Sequence, residues 1–330
     1  VWQPLSKFMP DSGQVFVIPD GALNSLSFGS LPTSTNSFLI EQYQFSYLNS
    51  IRDLNRDVAP ANRQSGLLAL GDPNFTADLS KRFASTNPEI ASYAPGSNRN
   101  SAARGILANC RIPRESLTPL VASRSEVESA GRIWRAAHSQ PVNILVGDAA
   151  SEENFKRLAS GNEIIHLATH AYFLSHDCFP KALEEVTTAN PLLLSGLLLA
   201  GAAVLAPADS ALVGEDGVLS GEEIAAMDLH GTKCVVLSAC ESGLGTVNDG
   251  EGVYGLRRAF QLTGVETIVS TLWNVPDQST ARLMQRLYTN LQEGFASAVR
   301  KAQLATIREL RDANMPPHPY SWGAFIVVGK

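Results

Sequence analysis

The feature that most restricts what this chain can fold into is a succession of short, continuous apolar runs, each closed by turn-forming residues. Val15-Phe16-Val17-Ile18 stops at Pro19-Asp20-Gly21, residues 66–70 stop at Gly71-Asp72-Pro73, and residues 142–146 stop at Gly147-Asp148. Residues 163–168, 233–239, 265–272 and 324–328 continue the series. Residues 163–168, 233–239 and 265–272 are continuous and do not alternate apolar with polar positions, and a strand reads that way when both of its faces are buried. Between them, residues 124–138 and 151–159 read as helices. Residues 278–294 carry Ala281, Met284, Leu287, Tyr288 and Leu291 at helical spacing, with Asp277 as the N-cap. Strands alternating with helices predict an α/β fold: a mainly parallel central sheet with helices on both faces.

Composition narrows the function classes. With 44% hydrophobic and 18% charged residues in 330, the chain can bury a sizeable core, which excludes disorder as its main state. Its 26 Lys plus Arg against 32 Asp plus Glu argue against a surface built to neutralise phosphates, so nucleic acid is not the expected ligand. The most apolar stretch, residues 191–205, is broken by Ser195, Gly196 and Gly201 and falls short of the roughly 20 residues of a bilayer span. It is read as a buried hairpin or core segment, and no membrane partner is expected. Cys110, Cys178, Cys234 and Cys240 form no CxxC pair, which fits reduced thiols and a cytoplasmic location. The opening Val1-Trp2-Gln3-Pro4 shows no targeting pattern and reads as part of something longer. Residues 74–119, rich in Ser, Asn, Pro, Gly and Arg, read as a long exposed insertion and a candidate cleavage site. A second irregular segment, residues 173–221, holds the acidic turn Gly214-Glu215-Asp216-Gly217.

Four constellations could carry chemistry. Glu163-Ile164-Ile165-His166-Leu167-Ala168-Thr169-His170-Ala171 is a buried strand that ends in a histidine at the edge where ligands of open α/β sheets gather. As a metal site its two histidines fail, because four strand residues separate them by about 13 Å. Lys233 to Gly245, with Leu237-Ser238-Ala239-Cys240-Glu241-Ser242-Gly243, repeats the design with a thiol at the strand's end. Cys234 sits inside that strand and reads as packing. Cys240 stands at the loop junction, and if the two strands are neighbours His170 can take its proton and return one to a leaving amine. Gly250-Glu251-Gly252-Val253-Tyr254-Gly255 matches a dinucleotide fingerprint by letter, but the fingerprint turn must follow its strand at once, and here it does not. Finally, Ser270-Thr271-Leu272-Trp273-Asn274-Val275-Pro276-Asp277 ends a strand in an indole and then an acid. Asp277 can cap the next helix, face a substrate pocket, or do both.

Taken in order, these motifs resemble the CHAT domain, a caspase-like cysteine peptidase module of clan CD related to separases, caspases and metacaspases. The resemblance starts at Val17-Ile18-Pro19-Asp20-Gly21-Ala22-Leu23 and Ser27-Phe28-Gly29-Ser30-Leu31, includes the His170 and Cys240 segments, and ends at Trp322-Gly323-Ala324-Phe325. It implies a caspase-like fold, a His170 and Cys240 catalytic dyad with no obligatory third residue, and an oxyanion hole from the backbone N–H groups of Ala171 and Cys240. The family usually carries Gly after the dyad histidine; Ala171 keeps the N–H but not the conformational freedom of Gly. By similarity to separase-like relatives, Asp277, with Trp273 beside it, implies a pocket for Arg or Lys. The resemblance also implies a protein substrate, no cofactor or metal, and a gating tetratricopeptide-type repeat region or regulatory partner. Two halves are expected: residues 1–120, pseudo-peptidase-like and carrying the insertion, and residues 121–330, carrying the dyad. The alternative reading is a catalytically silent CHAT module that transmits a conformational signal.

Overall fold

The computed structural model describes residues 2–55, 65–78, 117–174, 190–203, 215–238, 251–273, 275 and 277–330. Their strands are β1 (Gly13–Val17), β2 (Pro32–Ser34), β3 (Ser37–Phe38), β4 (Tyr43–Tyr47), β5 (Leu67–Pro73), β6 (Val142–Gly147), β7 (Ile164–Ala168), β8 (His170–Phe173), β9 (Ser195–Leu198), β10 (Val218–Ser220), β11 (Cys234–Leu237), β12 (Thr267–Thr271) and β13 (Phe325–Gly329). Their helices are α1 (Gln3–Ser6), α2 (Val121–Ala137), α3 (Glu152–Ala159), α4 (Gly221–Ala225), α5 (Glu251–Leu262), α6 (Asp277–Thr289) and α7 (Phe295–Asp312). Among the described residues, eight strands form one sheet in the order β1-β4-β13-β12-β11-β7-β5-β6. Every pairing in it is parallel except β12 with β13. Strands β6, β5, β7, β11 and β12 therefore run together and deliver their carboxyl ends to one edge.

The continuous apolar runs have the predicted cause. Side chains of a strand alternate between faces, and in β5, β7, β11 and β12 each face meets its own apolar layer, whereas the edge strands β1 and β6 are only partly buried. Leu68, Leu70, Ile165, Leu167, Val235, Leu237 and Ile268 pack with Phe155 of α3 and Leu256 and Phe260 of α5. Leu67, Ala69, Ile164, Ala168, Cys234, Val236 and Val269 pack with Val127 and Trp134 of α2, Met284 and Leu287 of α6, and Val299 of α7. Helices thus cover both faces, as the alternation of runs predicts. Ser151 caps α3 by accepting from Asn154 N, and α6 starts at Asp277 and stops at Thr289, after which Leu291–Glu293 forms one 3-10 turn.

Two features are not apparent from the periodicity. Helix α7, 18 residues long, buries Ala298, Val299, Ala302, Gln303 and Ile307. Small residues and a glutamine make a weak apolar stripe, but Gln303 is placed by donating to the carbonyls of Trp322 and Phe325, each at 2.9 Å. The other feature is a three-stranded antiparallel sheet, β10-β9-β8. The apolar stretch after residue 191 forms a 3-10 turn and then β9, the centre of that sheet, buried as expected. Strand β8 follows β7 after Thr169 alone, and the Thr169 hydroxyl donates to the carbonyl of Leu198 across the break. The chain thereby passes from the large sheet into the small one at His170.

Close approach at Gly196 makes this small sheet fit. A Cβ there would stand 2.6 Å from both the Tyr172 hydroxyl and the Leu219 carbonyl oxygen. Gly196→Ala is expected to cost about 1–3 kcal/mol through overpacking. The cost is read as a lower urea midpoint at unchanged denaturant slope; an unchanged midpoint would refute the close contact.

Candidate active site

The two strands singled out for chemistry are neighbours. In β7 and β11, Val236 lies opposite His166 and Leu237 opposite Leu167. Pairing continues to Ser238, whose N–H donates to Leu167 O at 2.9 Å. Cys240 itself, with Cys110 and Cys178, lies outside the described residues. His170 opens β8 and is buried, with 7% of its surface exposed. Its Nε2 lies 3.0 Å from the Thr118 carbonyl oxygen, and its ring packs 5.2 Å from that of Phe75. A carbonyl only accepts, so Nε2 carries the hydrogen, and in the neutral ring Nδ1 is then the basic nitrogen.

Ala171 is buried in β8 opposite Leu197. Asp72 and Asn314 are the non-glycine residues with positive φ among those described, so Ala171 has a backbone that needs no glycine. Trp273 follows β12 at the same sheet edge, packs against both apolar layers, and donates its indole N–H to the Tyr320 carbonyl at 3.4 Å. Asp277 is the first residue of α6; its side chain lies outside the described residues, and so does any cap it makes. Glu251–Leu262 is helical, so the Gly-rich tract opens a helix and is not the turn of a dinucleotide site. Cys234 is fully buried within β11, and burial pushes its thiol well up, which suits packing and not attack.

His166 and His170 serve different surroundings. His166 lies under α2 and α6, where Nε2 meets Glu126 Oε1 at 2.9 Å and Nδ1 meets the Tyr288 hydroxyl at 3.0 Å. Phe75 and Thr118 fall in the segment 74–119 expected to be an exposed insertion, yet Phe75 is buried against His170; Glu126 lies in the α2 segment, with no role expected of it. Thr118 contributes a backbone carbonyl, which no side-chain pattern reveals. Glu126 could have been noticed, because it is an acid on the apolar stripe of α2 beside Ser123, Val127, Ala130 and Trp134. Arg257 of α5 is also buried; its Nε donates to Ser270 Oγ at 3.0 Å, and burial lowers its guanidinium to about 10.

Among the described residues one group of carboxylates has metal-like spacing: Glu152, Glu215 and Glu223. Its centre is filled by the Lys156 ammonium, at 2.7, 2.8 and 3.1 Å from the three in that order. The acidic turn noted in the sequence is absorbed here, since Gly217 N also donates to Glu152 Oε2 at 3.1 Å. Burial, followed by the hydrogen bond to Glu215 and the charges of Glu223 and Glu215, holds the Glu152 carboxyl well above its ordinary range, against the pull of Lys156.

The CHAT domain family model matches residues 1–330. Human "Tetratricopeptide repeat protein 28" is 22% identical over 333 residues, covering 96% of this chain and 12% of that protein. Its mouse counterpart is 23% identical over 201 residues, covering 56% of this chain and 8% of that protein. The chain thus spans only 12% and 8% of the length of these relatives. Two crystal structures of the Saccharomyces cerevisiae separase-securin complex superpose with TM-scores of 0.47 and 0.42 at 12% identity, each covering 95% of this chain and 15% of that one.

The Glu152 cluster makes stability depend on pH. A carboxyl whose folded pKa is raised favours folding below its unfolded value of 4.5, and that contribution is lost as pH rises through the folded value. Glu152→Gln cannot ionise, so it is expected to be increasingly more stable than wild type as pH climbs from the ordinary carboxylate range to 8. Urea midpoints of the two proteins measured across that range check this; parallel curves would contradict it.

Proposed function

The chain belongs to the CHAT domain family, and on that premise we propose that it is a cysteine endopeptidase using Cys240 and His170 and cleaving after a basic residue. The observation that carries the reading is the adjacency of β7 and β11 in parallel register, with the strand that runs into His170 directly beside the strand that leads toward Cys240. The polarity of the histidine supports it as well. With Nε2–H donated to Thr118 O, Nδ1 is the nitrogen that takes the thiol proton. The thiolate attacks the scissile carbonyl carbon, and the oxyanion receives hydrogen bonds from the N–H groups of Ala171 and Cys240. Collapse breaks the C–N bond, and Nδ1–H protonates the leaving amine. Water then adds to the thioester with His170 as base, releasing the acid and restoring the thiol.

In this reading Asp277 and Trp273 line the pocket for the basic side chain, with the carboxylate giving a charge-assisted hydrogen bond. Residues 1–120 act as a non-catalytic half supporting residues 121–330. The names of the relatives, tetratricopeptide repeat proteins, favour a flanking repeat region or regulatory partner as the gate, acting on a protein substrate in the cytoplasm.

A fluorogenic peptide ending in Arg, assayed with the native flanking region restored, tests the proposal. Cys240→Ala and His170→Ala are each expected to lower kcat at least about a thousandfold, and cleavage that survives Cys240→Ala at the wild-type rate would eliminate the thiol mechanism. If wild type also fails to cleave, the reading as a silent signalling module takes its place. Asp277→Asn is expected to reduce kcat/KM for Arg and Lys peptides about 10- to 100-fold, the loss of one charged hydrogen bond. An equal loss on peptides with a neutral residue at that position would remove Asp277 from the pocket.

A further inference from the structure

We propose that Glu126 and His166 are positioning residues that set the placement of the His170 imidazole from inside the core. The inference rests on the reading of His170 as the acid and base of the peptidase. The two histidines lie on one continuous stretch, β7 into β8, and both are held by one other segment. His166 is bonded to Glu126 in the first turns of α2, and His170 is bonded to the carbonyl of Thr118, just before α2 begins. Thr118 stands three residues before α2, and the start of that helix is tied both to itself and to β5. Ser123 Oγ donates to Leu120 O at 2.7 Å while accepting from Asp72 N at 2.7 Å, and Arg124 Nε pairs with Asp72 Oδ2 at 2.9 Å. A slide or roll of α2 on the sheet therefore carries the Thr118 carbonyl with it, and the imidazole bonded to that carbonyl must follow.

Inside the buried layer, what resists such a slide is the bond between Glu126 and His166, which acts together with the contacts of Ser123 and Arg124 with Asp72 at the start of the helix. The apolar contacts of this layer, among them those of Val127, Ala130, Val236, Val269 and Leu287, are non-directional and tolerate small shifts. A hydrogen bond does not, because it weakens steeply with angle and distance. His166 is fully buried and Glu126 is 4% exposed. Burying such a pair costs desolvation that apolar residues would avoid, and its best attested return is fixed register. The titratable groups around the ring are Glu126 from α2, Tyr288 from α6 and the thiol of Cys234 on β11, close enough to Tyr288 to act on it electrostatically. The Tyr288 ring lies parallel to that of His166, with 3° between the planes, and its hydroxyl ties α6 to the same imidazole.

The test needs no physiological substrate. Iodoacetamide alkylation of Cys240 in the 330-residue chain, resolved by peptide mass spectrometry, is followed against pH. A thiol paired with a histidine ionises below the ordinary value of about 8.5. Glu126→Ala is expected to move the inflection up by about one pH unit, slowing alkylation at pH 7 about tenfold. Glu126→Gln, whose carboxamide oxygen still accepts from Nε2–H, is expected to restore the wild-type profile. Tyr288→Phe, which leaves the Glu126 bond intact, is expected to keep that profile even if the melting temperature falls. Should Glu126→Ala not fold, the double variant Glu126→Leu with His166→Leu keeps the layer apolar and filled, and the same upward shift is expected. A depressed inflection in wild type that Glu126→Ala or the double variant leaves in place overturns the inference alone. So does a Tyr288→Phe shift as large as that of Glu126→Ala, since it would signal general loosening. A wild-type inflection in the ordinary thiol range overturns the dyad reading and this inference with it.

Discussion

The parallel pairing of β7 with β11, buried on both faces, is the constraint on which the rest of the structure depends. Because side chains alternate, slipping either strand by one residue would exchange its two layers. His166 would then face Phe155 and Phe260, and Leu167 would meet the carboxylate of Glu126. Register is thus enforced twice, by the apolar layers and by a polar bond on one side. Once it is set, His170 and the continuation of β11 leave the sheet from the same edge. That edge also receives the ends of β5 and β12, and with them Asp72 and Trp273.

Around this pairing the interior divides its polar groups by purpose. Glu126, His166 and Tyr288 form a chain in which both ring nitrogens are occupied, bridging two helices through one strand. Glu152, Lys156, Glu215 and Glu223 form a cluster in which an ammonium stands where an ion would otherwise be needed, joining α3, the turn before β10, and α4. The second cluster touches the small sheet, since the charges of Glu223, Asp216 and Glu152 act on buried Tyr172 of β8. The strand that opens with His170 is held on the Thr118 side by the imidazole's bond to that carbonyl.

Much of this was legible beforehand. The apolar runs announced strands, and five of them proved to run side by side in one direction, four of these buried on both faces and β6 at the edge only partly buried. The histidine at the end of one run stands at the edge where β11 also ends, while Cys240, beyond β11, lies outside the described residues. Helix α7 was hidden because its buried face is mainly alanine, valine and glutamine, with the single isoleucine Ile307. Strand β4 was hidden because its own sequence, Tyr43-Gln44-Phe45-Ser46-Tyr47, has too few aliphatic residues to look like a core strand. The carbonyl of Thr118 was illegible in principle, because every residue has one.

The amino-acid sequence by itself determined the fold class, the family and the residue types available at the sheet edge, because periodicity and motif order are local properties of the chain. Only the tertiary structure decided which segment holds His170, which nitrogen of its ring carries the hydrogen, and that Glu126 serves the other histidine. Those assignments depend on contacts between residues 40 and 52 positions apart. Such contacts come into being only when α2 is laid across the sheet, and no pattern along the chain encodes the angle at which it lies.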